Sequence, residues 1–459
     1  MQAKESSIAA PVRHPVPWQE DGFYNEELLD AELRRVFDIC HGCRRCFNLC
    51  DSFPRLFDLI DESTTGELDS VSSTDFKPVV DACTLCDLCF LTKCPYVPPH
   101  EFNLDFPHLM LRYRAGQHKK GKTRIIAKEL TKTDRNGKLG CSCSGLANWA
   151  TSTNNSLTRK MLEKVAGVDK QAYLPPYSKR PLTSAAASQE QKGEPGIVLY
   201  ATCFANYNNT AIGEAALEVL ARNQVTTELV YPQCCGMPQL EHGDIASVVA
   251  RAASIAATME PWIDKGYEVV SLTPSCSLML KFEWPLLVPQ QADEFAKVQK
   301  LANATKDISE YLVGLAQKSG LTAGMQPLEG GVTAHIACHA RAQNIGQKAA
   351  ALLRLLPDTK VDIIERCSGH GGSWGIMKEN FAIALKVGKP VARTANKQAN
   401  KYLVSECPLA REHIVQGMQL LAKDTEANAY QHPVELIALA YRLGDETSKQ
   451  ENQTHISTD

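Results

Sequence analysis

The amino-acid sequence predicts an α/β protein of several domains, in which a helical N-terminal domain precedes two duplicated βαβαβ domains with small parallel sheets. Three observations lead to this prediction. The 17 cysteines stand mostly in clusters, short apolar runs alternate with helical stretches in the second half of the chain, and that alternation occurs twice. With 459 residues the chain is long enough for about two to four domains.

The composition is that of an ordinary globular protein, and it narrows the classes of function. The hydrophobic fraction is 44%, the charged fraction is 22% and the net charge is −3, so nothing indicates nucleic-acid binding. No apolar run approaches the length of a membrane-spanning helix, and the N-terminus lacks the pattern of a secretory signal. We therefore expect a cytoplasmic protein, in which clustered cysteines bind metals or act in redox chemistry instead of forming disulfides.

Two dense cysteine runs lie in the first 100 residues. ICHGCRRCFNLC has the spacing C-x2-C-x2-C-x3-C, and CTLCDLCFLTKCP has C-x2-C-x2-C-x4-C-P. In ferredoxins with two clusters, each run supplies three ligands to one [4Fe–4S] cluster and the fourth ligand to the other. The sequence thus predicts a ferredoxin-type domain over 26–115 with two [4Fe–4S] clusters. The predicted ligands are Cys40, Cys43, Cys46 and Cys94 for the first cluster, and Cys83, Cys86, Cys89 and Cys50 for the second.

Zinc is the alternative interpretation of these runs, because C-x2-C pairs also bind zinc. Two complete runs of four cysteines favour iron–sulfur clusters over a pair of zinc sites. Asp51 follows Cys50 at the position where the ferredoxin pattern has proline. This departure weakens the turn signal without changing the number of ligands.

A basic and helical connector is predicted over 116–195. Residues 112–135 contain nine Lys and Arg, but Glu129 and Asp134 are their only acidic residues. The segment is either a solvated helix and loop or a basic surface that docks an acidic partner or an anionic membrane. From residue 174 to 195 the composition becomes that of a linker, rich in Pro, Ser, Ala and Gln without periodicity.

Other stretches carry no predicted site. Residues 1–25 are expected to form a flexible tail, and residues 446–459 a polar tail. Cys141 and Cys143, in GCSCSG, complete no ligand run and are predicted to be ordinary loop residues, with a reactive thiol as the alternative.

Two predicted domains follow, over 196–324 and 325–445, and both have the same order of predicted strands and helices. In the first, the apolar runs in GIVLYATC, TTELVYPQCCG and YEVVSLTPSC are predicted strands that end close to cysteines. In the second, VTAHIAC, KVDIIERCSG and NKYLVSEC repeat the pattern, and helical stretches separate the runs. Corresponding cysteines lie 135, 133 and 131 residues apart, which indicates an internal duplication. The corresponding pairs are Cys203 with Cys338, Cys234 with Cys367, and Cys276 with Cys407.

The cysteines of these two domains all follow predicted strand ends. Open parallel sheets bind their ligands beyond the carboxyl ends of the strands, so the thiols of each domain should converge on one point. Buried cysteines that only pack as small apolar side chains are the alternative, but the neighbouring Gly, Pro and Ser loops favour metal sites. The predicted third centre has Cys203, Cys234, Cys235 and Cys276, and a possible fourth has Cys338, Cys367 and Cys407.

The stretches ATCFANYNN, QCCGMPQLEHGD, PSCS, ACHAR, RCSGHGGSWGIMKEN and SECPLA carry a family resemblance. They resemble the C-subunit family of anaerobic glycerol-3-phosphate dehydrogenase and the B-subunit of heterodisulfide reductase, whose domains are named for their Cys-Cys-Gly motif. Together with the ferredoxin-type runs, the resemblance extends from about residue 30 to 445. It implies an iron–sulfur electron carrier that receives electrons from a flavin dehydrogenase subunit and passes them on, often to membrane quinone. In heterodisulfide reductases, the related domains reduce a disulfide at [4Fe–4S] centres.

The sequence departs from the family motif of one cysteine, then Cys-Cys-Gly, then C-x2-C. Met279 and Ala410 replace the final cysteine of each copy, and Ser368 replaces the second cysteine of the pair in the second copy. Four thiolates remain in the first copy, enough for a cubane cluster or a tetrahedral metal, and three remain in the second. One of His335, His339 and His370 could complete a Cys3His site, with His339 and His370 the preferred candidates, or all three could only form hydrogen bonds.

Three hypotheses of function follow. The first is an iron–sulfur electron-transfer subunit that relays electrons between a flavin- or metal-containing partner and an acceptor, either quinone or protein. The second is a reductase that acts on a thiol- or disulfide-type substrate at the C-terminal cluster, and the third is a zinc-containing docking scaffold in the C-terminal half. No dinucleotide or Walker loop is present, so a flavin would reside on a partner. A peripheral position at the inner face of the cell membrane is compatible with the first hypothesis.

Overall fold

The computed structural model of the protein describes residues 11–185, 196–422 and 428–456. Helices surround two separate parallel sheets, so the predicted α/β class with duplicated small sheets is confirmed. Residues 186–195 of the predicted linker and the ends of both predicted tails lie outside the described residues. Within those ranges, none of the helices combines the length and the apolar character that crossing a bilayer requires.

The N-terminal unit is helical. Asn25 caps its first helix by accepting a hydrogen bond from the backbone N–H of Leu28, and Glu26 and Glu27 lie at the positive end of the helix dipole. Asp105 caps the fourth helix in the same way. The helices of this unit are α1 (Glu26–Cys43), α2 (Ser52–Asp61), α3 (Lys77–Asp81) and α4 (Phe106–Lys119), with shorter helical turns at Asp21–Tyr24, Leu68–Ser70, Ser73–Phe76 and Cys89–Lys93.

Residues 11–25 pack against the protein, whereas the sequence predicts a flexible tail there. The guanidinium of Arg13 donates to the carboxylates of Asp87 at 2.6 Å, Asp105 at 2.9 Å and Glu283 at 2.8 Å. The side chains of Asp87 and Glu283 are each only 4% exposed. Because buried carboxylates require a cationic partner, Arg13 holds this segment in place and joins the N-terminal unit to the first α/β domain.

The connector is a series of short helices. The described part of the predicted linker also packs, since the side chain of Leu182 is fully buried and lies against Gly213. The helices are α5 (Ile125–Leu130), α6 (Thr133–Ser142), α7 (Ser144–Thr151), α8 (Ser156–Ala166) and α9 (Leu182–Ala185).

The first α/β domain contains a four-stranded sheet in which all neighbours are parallel, in the order β2-β1-β3-β4. The fourth strand was not predicted, because Thr305–Asp307 is short and has no apolar run. The strands are β1 (Ile197–Tyr200), β2 (Thr227–Val230), β3 (Glu268–Ser271) and β4 (Thr305–Asp307). The helices are α10 (Cys203–Tyr207), α11 (Thr210–Arg222), α12 (Met237–Glu241), α13 (Ile245–Ile263), α14 (Pro274–Leu278), α15 (Trp284–Leu287), α16 (Phe295–Ala304) and α17 (Ile308–Ser319), with a π-helical turn at Met279–Glu283.

The second α/β domain repeats the first three strands in the parallel order β6-β5-β7, which matches β2-β1-β3. Its last helix continues past the predicted tail boundary at 446 and packs against α11 of the first domain. The strands are β5 (Val332–His335), β6 (Val361–Ile364) and β7 (Tyr402–Ser405). The helices are α18 (Cys338–Ala342), α19 (Lys348–Leu353), α20 (Phe381–Gln398), α21 (Pro408–Leu421) and α22 (Pro433–Ile456), with a 3₁₀ turn at Trp374–Ile376.

The hydrophobic cores cross the domain boundaries. One core joins aromatic residues of the N-terminal unit, such as Phe37 and Phe57, to Val198 and Trp284 of the first α/β domain. Another continues from the first sheet into the second and includes residues of α22. The units therefore meet through buried apolar surface, which fixes their cysteine-bearing ends relative to one another.

Replacing Arg13 by Met should lower the free energy of unfolding by about 3–5 kcal/mol, because it leaves buried carboxylates without their cation. The measurement is the midpoint of denaturant-induced unfolding under anaerobic conditions. The control is Arg354→Met, which alters an exposed arginine on the second α/β domain. Equal midpoints for the two variants would contradict the role assigned to Arg13.

Candidate cysteine-ligated metal centres

The first group of N-terminal thiols forms where α1 ends. Cys40 and Cys43 occupy the last turn of α1, and Cys46 lies in the turn that follows. Burial is the largest cause that raises the pKa of Cys40, and the charges of Cys94, Cys46 and Cys43 raise it further. Cys94, from the second run, thus lies beside the three cysteines of the first run. This is the grouping that the ferredoxin spacing predicts for ligands.

The second group contains Cys50 and three cysteines of the later run. Burial raises the pKa of Cys89 well above that of a free thiol, and the charges of Cys86, Cys83, Cys50 and Cys46 add to the effect. Cys50 has therefore crossed from the first run to the second. The contribution of Cys46 shows that the two groups are neighbours, since such interactions weaken with distance.

The loop from Cys83 to Cys89 has a backbone suited to bound sulfur. Leu85 and Asp87 have positive φ angles of 48° and 61°, which non-glycine residues rarely adopt. The backbone N–H groups of Leu85 and Leu88 point to the sulfurs of Cys83 and Cys86. N–H groups that converge in this way favour anions, and hydrogen bonds to sulfur tune iron–sulfur clusters.

The thiols of the third group, in the first α/β domain, form a continuous series of hydrogen bonds. Side-chain hydrogen bonds connect Cys203 to Cys234, Cys234 to Cys235, and Cys235 to Cys276. Hydrogen bonds from Cys203 and Cys235 hold the pKa of Cys234 well below that of a free thiol. Each cysteine follows the carboxyl end of β1, β2 or β3, as the parallel sheet requires. Met279, in place of a fifth cysteine, is fully buried.

Two residues that the sequence did not single out hold this third group. Asp134, from α6 of the connector, accepts hydrogen bonds from the backbone N–H of Cys234 at 3.1 Å and from the Tyr231 hydroxyl at 2.6 Å. Arg251 donates to the same carboxylate at 2.9 Å. The one available signal was that Asp134 is an acidic residue in a basic segment. Thr202, just before Cys203, has φ 60° and ψ 158°, a region that costs a β-branched residue free energy and that occurs at functional sites.

The fourth group, in the second α/β domain, has three thiols. Burial raises the pKa of Cys338 well above that of a free thiol, and the charges of Cys86, Cys367 and Cys407 raise it further. The backbone N–H of Gly369 donates to the sulfur of Cys367 at 3.4 Å. The three cysteines at the ends of β5, β6 and β7 therefore meet one another, and Cys86 of the second group lies beside them.

The histidines near this group differ in their hydrogen bonds. His335 is satisfied, because Nδ1 bonds to Ser405 at 2.9 Å and Nε2 to the Arg366 carbonyl at 2.9 Å. Nε2 of His339 and of His370 is buried without a partner among the described residues. Burial lowers the pKa of His339 to about 4 and that of His370 to about 3, so both rings are neutral at pH 7. A neutral imidazole with a bare nitrogen has the chemistry of a metal ligand.

The four groups follow one another in space in an order different from their order along the chain. The charge of Cys367 raises the pKa of Cys86, after the larger effect of burial, so the second and fourth groups are neighbours. The charge of Cys276 contributes to the raised pKa of Cys407, for which burial is again the main cause, so the fourth and third groups are neighbours. Helices α14 and α18, which carry Cys276 and Cys338, pack against each other. The fourth group therefore lies between the second group and the third group.

The remaining thiols lie apart from these groups. Cys141 lies in α6 and not in the predicted loop, where it is buried and donates to the Tyr207 carbonyl at 3.4 Å. Cys143 lies between α6 and α7, is exposed and donates to the Leu139 carbonyl at 3.0 Å. Among the described residues, no set of three or more His, Cys, Asp or Glu side chains is arranged to hold a single metal ion.

A cavity of about 1110 Å³ opens beside the second and fourth groups. Its wall includes Cys83 and Thr84 of the loop from Cys83 to Cys89, Gly371 and Trp374 of the RCSGHGGSWG loop, and Glu241 of α12. Burial raises the pKa of Glu241 to about 7, although the charge of Arg114 opposes the effect. A carboxyl with this pKa exchanges protons near neutral pH.

Comparison with known proteins follows the same division of the chain. A family model described as a cysteine-rich domain matches residues 197–281 and 332–410, which are the two segments that contain the third and fourth groups. The chain contains two copies of this domain. Each copy includes β1 to β3 or β5 to β7 and the cysteines at their ends.

Proteins similar to this chain are found in bacteria. The C-subunit of anaerobic glycerol-3-phosphate dehydrogenase from Escherichia coli (strain K12) is 24% identical over 318 residues, which is 68% of this chain and 76% of that protein. Lactate utilization protein A of Bacillus velezensis is 25% identical over 218 residues, 46% of this chain and 87% of that protein. Lactate utilization protein A of Bacillus cytotoxicus is 27% identical over 188 residues, 39% of this chain and 74% of that protein. The resemblance to the C-subunit of anaerobic glycerol-3-phosphate dehydrogenase that the motifs indicate is therefore confirmed.

Replacing Gly369 by Ala should destabilise the fold by a few kcal/mol. Gly369 has φ +81°, and an added Cβ would lie 2.1 Å from the backbone oxygen of Ala384. Gly314→Ala is the control, because its Cβ would meet nothing within 4 Å and alanine favours helix α17 by about 1 kcal/mol. Thermal unfolding under anaerobic conditions compares the two, and a Gly369→Ala midpoint equal to that of the wild type would contradict the close packing of this loop.

Replacing Glu241 by Gln should stabilise the protein more at high pH than at low pH. Because burial raises the pKa of Glu241 to about 7, ionising its carboxyl lowers the free energy of unfolding. This loss of stability is absent below about pH 4.5, grows as pH rises to about 7 and then reaches about 3 kcal/mol. The midpoint gained by Glu241→Gln should therefore be larger at about pH 8 than at about pH 5.5. The control is exposed Glu329→Gln, for which we expect no such difference. An equal gain for Glu241→Gln at both pH values would show that its carboxyl is not buried in this way.

Proposed function

We propose that this protein is an iron–sulfur electron-transfer subunit of an oxidoreductase complex, which relays electrons through two [4Fe–4S] clusters and a further cysteine-ligated centre. The proposal rests on the continuous order of the sulfur groups. Electrons entering at the first group would pass to the second, then to the fourth and then to the third. Such clusters accept and donate single electrons, and the protein sets their ligation, spacing and environment.

The chemistry of the donor sets fits these cofactors. Burial first, and then the charges of neighbouring cysteines, raise the pKa of Cys40 and Cys89, and cationic iron would offset both effects. We assign Cys40, Cys43, Cys46 and Cys94 to one [4Fe–4S] cluster, and Cys83, Cys86, Cys89 and Cys50 to the other.

The C-terminal centres follow from the thiols that remain. In our proposal Cys203, Cys234, Cys235 and Cys276 hold a third centre, either an iron–sulfur cluster or zinc. The fourth would combine the thiolates of Cys338, Cys367 and Cys407 with Nε2 of His339 or His370. The buried, unpartnered nitrogens of these two histidines support ligation by one of them.

We infer the partners from the relatives and from the sequence, which contains no dinucleotide-binding motif. A relative is named as a subunit of anaerobic glycerol-3-phosphate dehydrogenase, so it works with other subunits. By analogy we infer that a flavin dehydrogenase or another redox protein supplies the electrons, and that a quinone or a protein receives them. We infer a cytoplasmic location, with peripheral contact at the inner face of the cell membrane.

A second candidate function is favoured by the cavity beside Cys83 and the RCSGHGGSWG loop. Its position gives a small molecule access to Cys83 of the second group and to the loop that follows Cys367, with Glu241 as a proton source. In this alternative, the protein itself reduces a thiol- or disulfide-type substrate there. A zinc-containing docking scaffold in the C-terminal half has no comparable observation in its favour.

Metal analysis of the full chain, purified anaerobically, tests the proposed function. We expect at least about eight irons with matching labile sulfide per chain, and EPR signals of two interacting clusters on reduction, since each [4Fe–4S] cluster holds four irons. Cys86→Ser should lose about four irons, whereas the control Cys143→Ser alters an exposed thiol outside the groups and should lose none.

Three results would count against electron transfer as stated. Fewer than about eight irons in the wild type would contradict the two-cluster assignment. Equal iron loss in both variants would contradict the ligand assignment. Disulfide reduction by the isolated protein whose clusters were first reduced chemically, abolished by Cys367→Ser while the N-terminal EPR signals persist, would favour the second candidate.

A further inference from the structure

The connector helices present large apolar side chains to solvent. On α8, Leu157, Met161 and Val165 are 78%, 68% and 64% exposed, and their spacing of four residues places them in one stripe. Isolated exposed apolar residues are normal on protein surfaces, but contiguous ones mark interaction sites. Seven of the fifteen large exposed apolar residues in the described ranges lie between residues 125 and 165. They are Ile125, Leu139, Leu146, Trp149, Leu157, Met161 and Val165, and we call the exposed faces of α5 to α8 that carry them the 125–165 surface.

The same faces carry positive charge. Lys160 and Lys164 are exposed on α8 beside the apolar stripe, and Arg135 and Lys138 are exposed on α6 beside Leu139. Residues 125–165 contain seven Lys and Arg, of which Arg159 is buried, against three acidic residues, although the whole chain has a net charge of −3. The 125–165 surface is therefore a cationic region on an acidic protein.

The three acidic residues of this segment do little to neutralise the surface. Asp134 is turned toward the third cysteine group, where Tyr231, Arg251 and the Cys234 backbone bond to it. Glu163 has a side chain that is only 17% exposed. Glu129 pairs with Lys132 and Arg135. The apolar stripe on α8 is therefore flanked by the exposed Lys160 and Lys164, whereas the carboxylate of Glu163 on the same helix is turned away from solvent and pairs with Lys378.

We propose that the 125–165 surface docks on an anionic lipid bilayer. Lysine is depleted at protein–protein interfaces, yet here lysines alternate with apolar residues along one face. A membrane interface favours that mixture, because apolar side chains enter the acyl boundary while lysine stems extend to the phosphates. Trp149 also has the amphipathic ring that is enriched at this depth.

The cavity supports this orientation. Ile126, Ala127 and Leu130 of α5 line the cavity, and Ile125 of the same helix belongs to the 125–165 surface. Docking would therefore bring the cavity, and the cysteine groups beside it, near the lipid headgroups. The inference supplies a surface for the peripheral location in the proposed function and rests on that function only for its purpose, since lipid binding does not require electron transfer.

Flotation of the anaerobically purified full chain with lipid vesicles tests the inference. We expect binding to vesicles of phosphatidylcholine mixed with phosphatidylglycerol, weaker binding to phosphatidylcholine alone, and loss of binding at high salt. Met161→Glu should abolish binding, because it places a charge in the acyl boundary. The double variant Lys160→Gln with Lys164→Gln should weaken binding about thirtyfold, from about fivefold for each lysine. The control Leu420→Glu alters a 68% exposed leucine on α21 and should bind as the wild type does.

Several outcomes would overturn the inference. One is absence of binding to the anionic vesicles, and another is wild-type binding by both variants of the 125–165 surface. A third is dissociation of a dimer or of a co-purified protein by Met161→Glu in the absence of vesicle binding, which would make the surface a protein interface. Iron content and EPR spectra, measured on the same samples, report separately on the proposed electron-transfer function.

Discussion

The rest of this structure depends on the burial of many cysteine sulfurs next to one another. Burial and mutual repulsion raise the pKa of Cys40, Cys50, Cys89 and Cys338 well above that of a free thiol. Ionised sulfurs in such sites need cations, and backbone N–H groups provide part of the compensation. The fold supplies these positions from two sources. One is the cysteine runs of the N-terminal unit, and the other is the set of strand ends of two parallel sheets.

Segments outside the repeated domains complete the arrangement. Arg13 joins the carboxylates of Asp87 and Glu283. Asp87 lies between Cys86 and Cys89 in the sequence. Asp134 of the connector holds the backbone of Cys234. In both cases a charged side chain from outside the repeated domains connects two structural units. Apolar cores that these units share reinforce the contact. The sulfur groups therefore have fixed neighbours, as electron transfer between them requires.

The two copies of the cysteine-rich domain share strand order but differ in the chemistry of their loops. The first copy keeps four thiols in a continuous series of hydrogen bonds and holds Thr202 in a conformation that usually requires glycine. In the second copy, Ala337 at the corresponding position has ordinary extended geometry. Its three thiols lie beside the second group, and its glycine-rich loop borders the cavity. The copy with fewer cysteines is therefore the one whose thiols lie between the second and third groups.

The sequence by itself determined the elements whose signals are local. Cysteine spacing predicted that Cys94 would lie beside the thiols of the first run and Cys50 beside those of the second, and the offset of the cysteines predicted the duplicated sheets. The order of the four groups, the packed strap around Arg13, strand β4 and the role of Asp134 came only from the tertiary structure. Each of these depends on contacts between residues far apart in the chain, where burial and charge pairing decide the outcome and no local pattern records it.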